Sequence, residues 1–264
     1  MRIVGQILVV VLAWLFALTA AARDDEHLIP EDSVFSNHDY RRAPPLYADY
    51  YANVLSVLDD AFAPGIFARA IIFPSFQNEY AIAVAMDESS YRIIHLETDK
   101  KLWLFESLES LKAGEVRIYG DKTGSKLAAE IEELEDYLPD SPNDVSVDRC
   151  ERPIPEVLGE KLYVLWGEML FRTRYPDRRP VSPERDGIFN AGLDGTTYHF
   201  SFEYHYERLA GKVWSPDKDS ITGQMVAITN LLRAACRAGK NEKILAETEQ
   251  RIDELAELLS KTVY

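Results

Sequence analysis

The run Tyr198-His199-Phe200-Ser201-Phe202-Glu203-Tyr204-His205-Tyr206 holds the richest group of side chains able to do chemistry. Alternation along a strand sends its aromatics to one face and His199, Ser201, Glu203 and His205 to the other. Imidazole with carboxylate suits a zinc site or acid–base work. At about 3.3 Å per residue, His199 and His205 lie ~20 Å apart, so they cannot share one ion. Glu203 and His205, ~7 Å apart, can. They are the pair an envelope or extracellular hydrolase would use, with a third ligand needed from elsewhere for any metal. The competing expectation is a wet polar strand face opposite an aromatic core face.

Other constellations are weaker. The chain has no Gly-x-Ser-x-Gly elbow, no glycine-rich phosphate loop, no His-Glu-x-x-His and no dinucleotide fingerprint. No cofactor is implied. The acidic run Glu130, Glu132, Glu133, Glu135 and Asp136 reads as a solvated helix face. Arg172, Arg174, Arg178, Arg179 and Arg185 form the one basic concentration, in a stretch broken by Pro176, Pro180 and Pro183. Arginine forks bind carboxylates and phosphates, which makes Arg178 and Arg179 candidate binding residues; a surface loop balancing the acidic remainder is the plainer reading.

Behind these residues stands a chain of 264 residues with 29 basic and 44 acidic side chains and a formal charge of −15. Length and a 47% hydrophobic content give it a core that needs no metal or disulfide framework. The acid excess works against nucleic-acid binding. Arg2, the apolar run Ile7–Leu18 and the small residues Thr19-Ala20-Ala21-Ala22 have the order of a secretory signal peptide over residues 1–22, cut after Ala22. A retained membrane anchor is the alternative, disfavoured because the strongly apolar part is short. Since Arg2 is the only charge in the leader, the mature chain would carry 28 basic and 44 acidic groups, a net −16. It is expected in a bacterial periplasm or outside a cell, with no membrane segment after cleavage. In that oxidising space Cys150 and Cys236 are expected to form a disulfide.

The elements expected to position these groups begin after an arm, residues 23–46, expected to be mobile. Tyr47, Tyr51, Leu55, Leu58 and Phe62 recur at helical spacing up to Pro64-Gly65. A strand meander follows, over Ala68–Phe73, Tyr80–Met86 and Tyr91–Glu97. In its second strand Ala81, Ala83 and Ala85 alternate with Tyr80, Ile82, Val84 and Met86, so one face is methyl groups alone and lets a helix come close. A strand at Val116–Tyr119 and a helix at Lys126–Tyr137 are also expected. The proline-containing stretch 138–155 is the best boundary; residues 47–264 read as one domain, with a division into two lobes there left open. Helices follow around Leu158–Leu170, Ile221–Leu232 and Ile244–Leu259. Asp194-Gly195 gives the strongest hairpin signal, with a second reversal near Ala210-Gly211. The class is α+β, a mainly antiparallel sheet with an N-terminal meander and C-terminal hairpin, packed by amphipathic helices.

These features favour an exported, acidic, non-catalytic binding protein whose partner is a basic protein, such as one it inhibits. Residues 23–137 hold 11 basic and 23 acidic side chains, a net −12, and that field attracts and steers basic partners. Tyr40, Tyr47, Tyr50 and Tyr51 are the candidate aromatic anchors. The competing expectation has acidity serving solubility and the tyrosines packing the first helix.

Overall fold

A computed structural model of the chain describes residues 27–30, 45–74, 77–88, 90–102, 141, 144–174, 195–205, 207–239 and 241–261. In chain order the described elements are β1 (Ile29–Pro30), α1 (Pro45–Val57), a 3-10 helix (Asp59–Phe62), β2 (Ile66–Pro74), β3 (Tyr80–Asp87) and β4 (Ser90–Thr98). They continue with β5 (Val147–Ile154), α2 (Glu156–Phe171), β6 (Thr196–Tyr204), β7 (Glu207–Trp214), α3 (Ile221–Arg237) and α4 (Glu242–Lys261). The strands make one antiparallel sheet in the order β1-β7-β6-β2-β3-β4-β5. The α+β class, the meander and a C-terminal hairpin are as the sequence leads one to expect; the hairpin is β6–β7, and Asp194 of the turn expected at Asp194-Gly195, with the strand before it, lies outside the described residues.

Both faces of the central strands are covered, and residue size decides by what. Tyr80, Ile82 and Val84 of β3 join Phe67, Ile93, Phe200 and Phe202 in a core closed by α2, α3 and α4. Ala81, Ala83 and Ala85 face the other way, into a second core with Tyr50, Val54, Leu55, Leu58 and Ala61 of α1 and the 3-10 segment. The α2 helix is drawn close to the sheet at one point. A Cβ at Gly159 would stand 2.1 Å from the Tyr91 ring, so only glycine fits between helix and β4.

Three expectations need correction. Leu28 is fully buried, and Ile29–Pro30 pair with Lys212 and Gly211 of β7, so this part of the 23–46 arm is docked. Gly211 is the cause: a Cβ there would sit 2.9 Å from the Leu28 Cβ. That glycine is therefore no turn; it lies inside β7 opposite Phe200. The chain reverses instead at His205, whose φ of 45° is the left-handed conformation a tight turn requires. Finally, Val147–Ile154 of the 138–155 stretch is a strand, and its Pro153 is accommodated because β5 is an edge. The sheet thus takes strands from both sides of that stretch. The expected strand at Val116–Tyr119 and helix at Lys126–Tyr137 lie outside the described residues.

Cys150 of β5 and Cys236 near the end of α3 are joined in a disulfide, their Cα atoms 6.0 Å apart and 86 residues apart in sequence. The bond ties an edge strand to a helix across the layer. Reducing it, or replacing both cysteines by serine, should lower unfolding free energy by about 2–4 kcal/mol. Urea titration with and without reductant measures this; an unchanged midpoint would show that the bond constrains nothing.

Candidate functional site

The polar residues of β6 meet the cationic residues of its neighbours beneath α1. In the antiparallel register Ser201 stands opposite Arg69 of β2, and His199 opposite Ile71. On the other flank Glu203 stands opposite Arg208 of β7. Period-two alternation puts all of these side chains on the face that carries α1. The face is not wet: His199 is 5% exposed and Ser201 3%. The wet-face expectation fails because Leu55 and Tyr51 cover that side. The Tyr51 ring centre lies 5.3 Å from the His199 ring and 4.5 Å from that of Phe73.

Arg69 organises the deeper end. Its Nη2 donates to Glu203 Oε1 at 2.5 Å, and its guanidinium lies 4.6 Å from the Phe62 ring centre. Arg208 lies 5.3 Å from that same ring. Burial, reinforced by the Arg208 charge and opposed by Glu203, lowers the Arg69 pKa to about 10. It remains a cation at neutral pH. Among the described residues, the buried Arg69 Nε and Ser201 Oγ have no hydrogen-bond partner. Beside them is a small depression of about 10 Å³, room for roughly one water, walled by Leu55, Ile71 and Phe73 with His199, Ser201 and Arg208.

This arrangement does not assemble the acid–base pair expected from sequence. Glu203 turns its carboxylate to Arg69, while His205 lies exposed in the turn with its ring 4.2 Å from that of Tyr204. Tyr204 in turn meets Phe171 of α2, on the opposite side of the sheet. The two groups serve different neighbours. Ser201 and His199, two residues apart on one strand, stand ~7 Å apart. The hydroxyl is therefore not activated by the imidazole as a nucleophile requires. Among the described residues no group of three or more His, Cys, Asp or Glu side chains could hold a metal ion.

Of the expected aromatic anchors, Tyr50 is buried and donates to Glu79 Oε1 at 2.8 Å. Tyr51 is half-buried against Phe73 and His199, so neither is a free anchor. The reason is Glu79, a fully buried carboxylate just before β3 that also accepts from the Leu102 amide at 3.0 Å. Burial, and then the nearby Glu79 charge, push the Tyr50 hydroxyl well above its ordinary pKa, holding it as a donor. Tyr40, the Tyr47 side chain, Arg178 and Arg179 lie outside the described residues. Arg172, from the same basic stretch, is engaged with Glu168 and with the Leu259 carbonyl oxygen.

A second polar cluster, under α3, escaped the sequence reading. Arg233 donates to both oxygens of Glu97 at 2.9 and 2.8 Å, and Arg237, one turn on, donates to Oε2 at 2.8 Å. Arg233 also lies 4.1 Å from the Tyr80 ring centre, and the Tyr80 hydroxyl donates to Asn230 Oδ1 at 3.3 Å. Two arginines four apart on a helix were a legible signal; their acidic partner on β4 was not. Comparison with protein-family models finds none that matches, and comparison with curated proteins and solved structures finds no significant similarity.

His95, fully buried between this cluster and Tyr80, supplies a pH test. Burial dominates its environment and lowers its pKa from 6.5 to about 4; Glu97 pulls the other way, but Arg233 and Arg237 add to the lowering. The unfolded chain therefore binds a proton at His95 that the folded chain refuses, and stability falls as pH drops from about 6.5 towards 4. Urea unfolding across that window should show the loss, and His95→Gln should flatten it. An equal slope in both proteins would contradict this role.

Proposed function

We propose that this is an exported, acidic, non-catalytic binding protein that docks a basic protein partner in the bacterial periplasm. The observation that carries the reading is the outer side of α2. Val157, Val164 and Phe171 recur every seven residues, which places them along one stripe of the helix, and they are 55%, 64% and 63% exposed. Phe171 packs edge-on against the exposed Tyr204, with ring centres 5.9 Å apart. Large apolar side chains held outward in series are the material of a docking surface.

The surround supplies the sign of the partner. α2 packs beside α4, and the two helices carry nine acidic side chains against four basic ones. Lys161, one of those four, is already held by Glu249 and Asp253 at 2.8 Å each. An apolar stripe set in carboxylates fits a basic, amphipathic surface, with the charge steering encounter and the apolar contacts giving affinity. Export rests on the leader and on the disulfide, which belongs to an oxidising compartment.

Capture from periplasmic extract on immobilised protein tests this, with bound species identified and Phe171→Asp and Val164→Asp variants run beside the parent. Both sites are exposed, so each variant should unfold within about 0.5 kcal/mol of the parent. A single basic protein should be retained at low salt, released as salt screens the carboxylates, and lost by the variants. Retention that ignores both salt and the stripe would contradict the reading, as would turnover of a cell-wall or ester substrate by the purified protein.

A further inference from the structure

The spacing of the α2 stripe selects the element of a partner that fits it, a step that rests on the docking role proposed above. Val157, Val164 and Phe171 stand ~10.5 Å apart along the helix axis and together span ~21 Å. A facing helix presents side chains at the same seven-residue interval, so each of its apolar residues can meet one of the three. An extended segment presents them every ~6.7 Å on one face and falls out of step at Val164. It would also find nothing to pair with, because the backbone inside a helix is hydrogen-bonded within itself, unlike a sheet edge.

The two flanks of the stripe differ. At about 100° per residue around the helix axis, Lys161 and Glu168 fall on one side of it and Glu156 and Glu160 on the other. The first side is closed: Lys161 is held by Glu249 and Asp253 of α4, and Glu168 by Arg172. On the second side Glu156 and Glu160 are exposed, and neither carboxylate has a hydrogen bond or ion pair among the described residues. Burial, and then the charges of Glu160 and Glu156, raise the pKa of the neighbouring Tyr91 hydroxyl. At the far end Phe171 meets Tyr204, which in turn meets His205. The stripe therefore runs from two uncommitted carboxylates to an exposed aromatic group.

We propose that the partner's contact element is a basic amphipathic α-helix of about four turns, laid along α2. Its apolar side chains, seven residues apart, lie on Val157, Val164 and Phe171, and its lysines or arginines lie against Glu156 and Glu160 on the flank away from α4. A second copy of this chain fits worse. Paired with itself about Val164, an antiparallel α2 sets Glu160 opposite Glu168; paired in parallel register, it sets Glu160 opposite Glu160. Either way a carboxylate meets its own sign, which a specific interface avoids.

The probe is a labelled peptide of about 18 residues, long enough to cover the stripe, with leucine along one helical face and lysine elsewhere. Its scrambled sequence and a version with glutamate for lysine run beside it. Each is titrated into the disulfide-bonded protein and followed by fluorescence anisotropy and circular dichroism. The amphipathic basic peptide should saturate and gain helix on binding; the other two should bind about ten-fold or more weakly. Val164→Asp should weaken it about ten-fold, and since the new charge would itself attract lysine, that loss reports the apolar stripe. Glu156→Gln with Glu160→Gln should weaken it several-fold at low salt and change nothing at high salt. Both side chains are exposed and unbonded, so folding stability should not move. Equal binding of the scrambled peptide, binding without gain of helix, indifference to Val164→Asp or to the glutamine pair, or no saturable binding would each overturn the helical assignment. A concentration-dependent dimer in sedimentation, abolished by Val164→Asp, would also overturn it by giving the stripe to a second copy. Salt-sensitive capture of a basic protein, lost with Phe171→Asp, does not depend on the shape of the docked element, so the docking surface and the helix fail separately.

Discussion

The arrangement depends on a mismatch in size across one strand. β3 presents alanines to one layer and Tyr80, Ile82 and Val84 to the other. A strand buried on both faces must be matched on both, because interiors are packed to near-crystalline density and tolerate neither voids nor overlap. The large face accepts three helices whose own side chains are mixed in size. The small face lets the 3-10 segment settle close over β2, β3 and β4, with α1 packed on the same side. Once α1 is there, the polar side of β6 is covered too, and His199, Ser201 and Arg69 become interior residues.

That covering explains why Glu79, Arg69, His199 and Ser201 are buried on the α1 side. Glu79 is solvated by the Tyr50 hydroxyl and the Leu102 amide in place of water. Arg69 is held by Glu203 and the Phe62 ring. Ser201 alone of the hydroxyls on this face of β6 is left with an unmet donor among the described residues, and it lines the depression. The opposite layer does different work. It closes with aromatic and aliphatic side chains, the Glu97–Arg233 cluster with buried His95, and the disulfide, and α2 still holds Val157, Val164 and Phe171 outward.

How much of this the sequence discloses follows from how local each signal is. The β3 alternation, the α2 periodicity and the helical spacing before Pro64 are local, and they forecast the elements and the close helix approach. Gly211 misled because a glycine between strand-like runs reads as a turn; its true reason, the approach of Leu28, comes from 183 positions away in sequence. The reversal at His205 carried no glycine or Asn-Gly to announce it. β5 was hidden by Pro153, tolerable only because that strand is an edge. At the candidate site, the chemistry of His199, Ser201 and Glu203 was legible but their covering was not. Arg69, in an otherwise apolar strand, gave a visible anomaly whose partner lay 134 residues away.

The account stands on the small face of β3, and Ala83→Leu addresses it at the middle of the strand. Added volume there has nowhere to go but into the α1 layer. Unfolding should become easier by about 1–3 kcal/mol. Native-state amide exchange should show the largest loss of protection in α1 and the 3-10 segment, with α2, α3 and α4 little changed. A variant as stable as the parent, with α1 amides equally protected, would contradict the claim that residue size on this strand sets the layers.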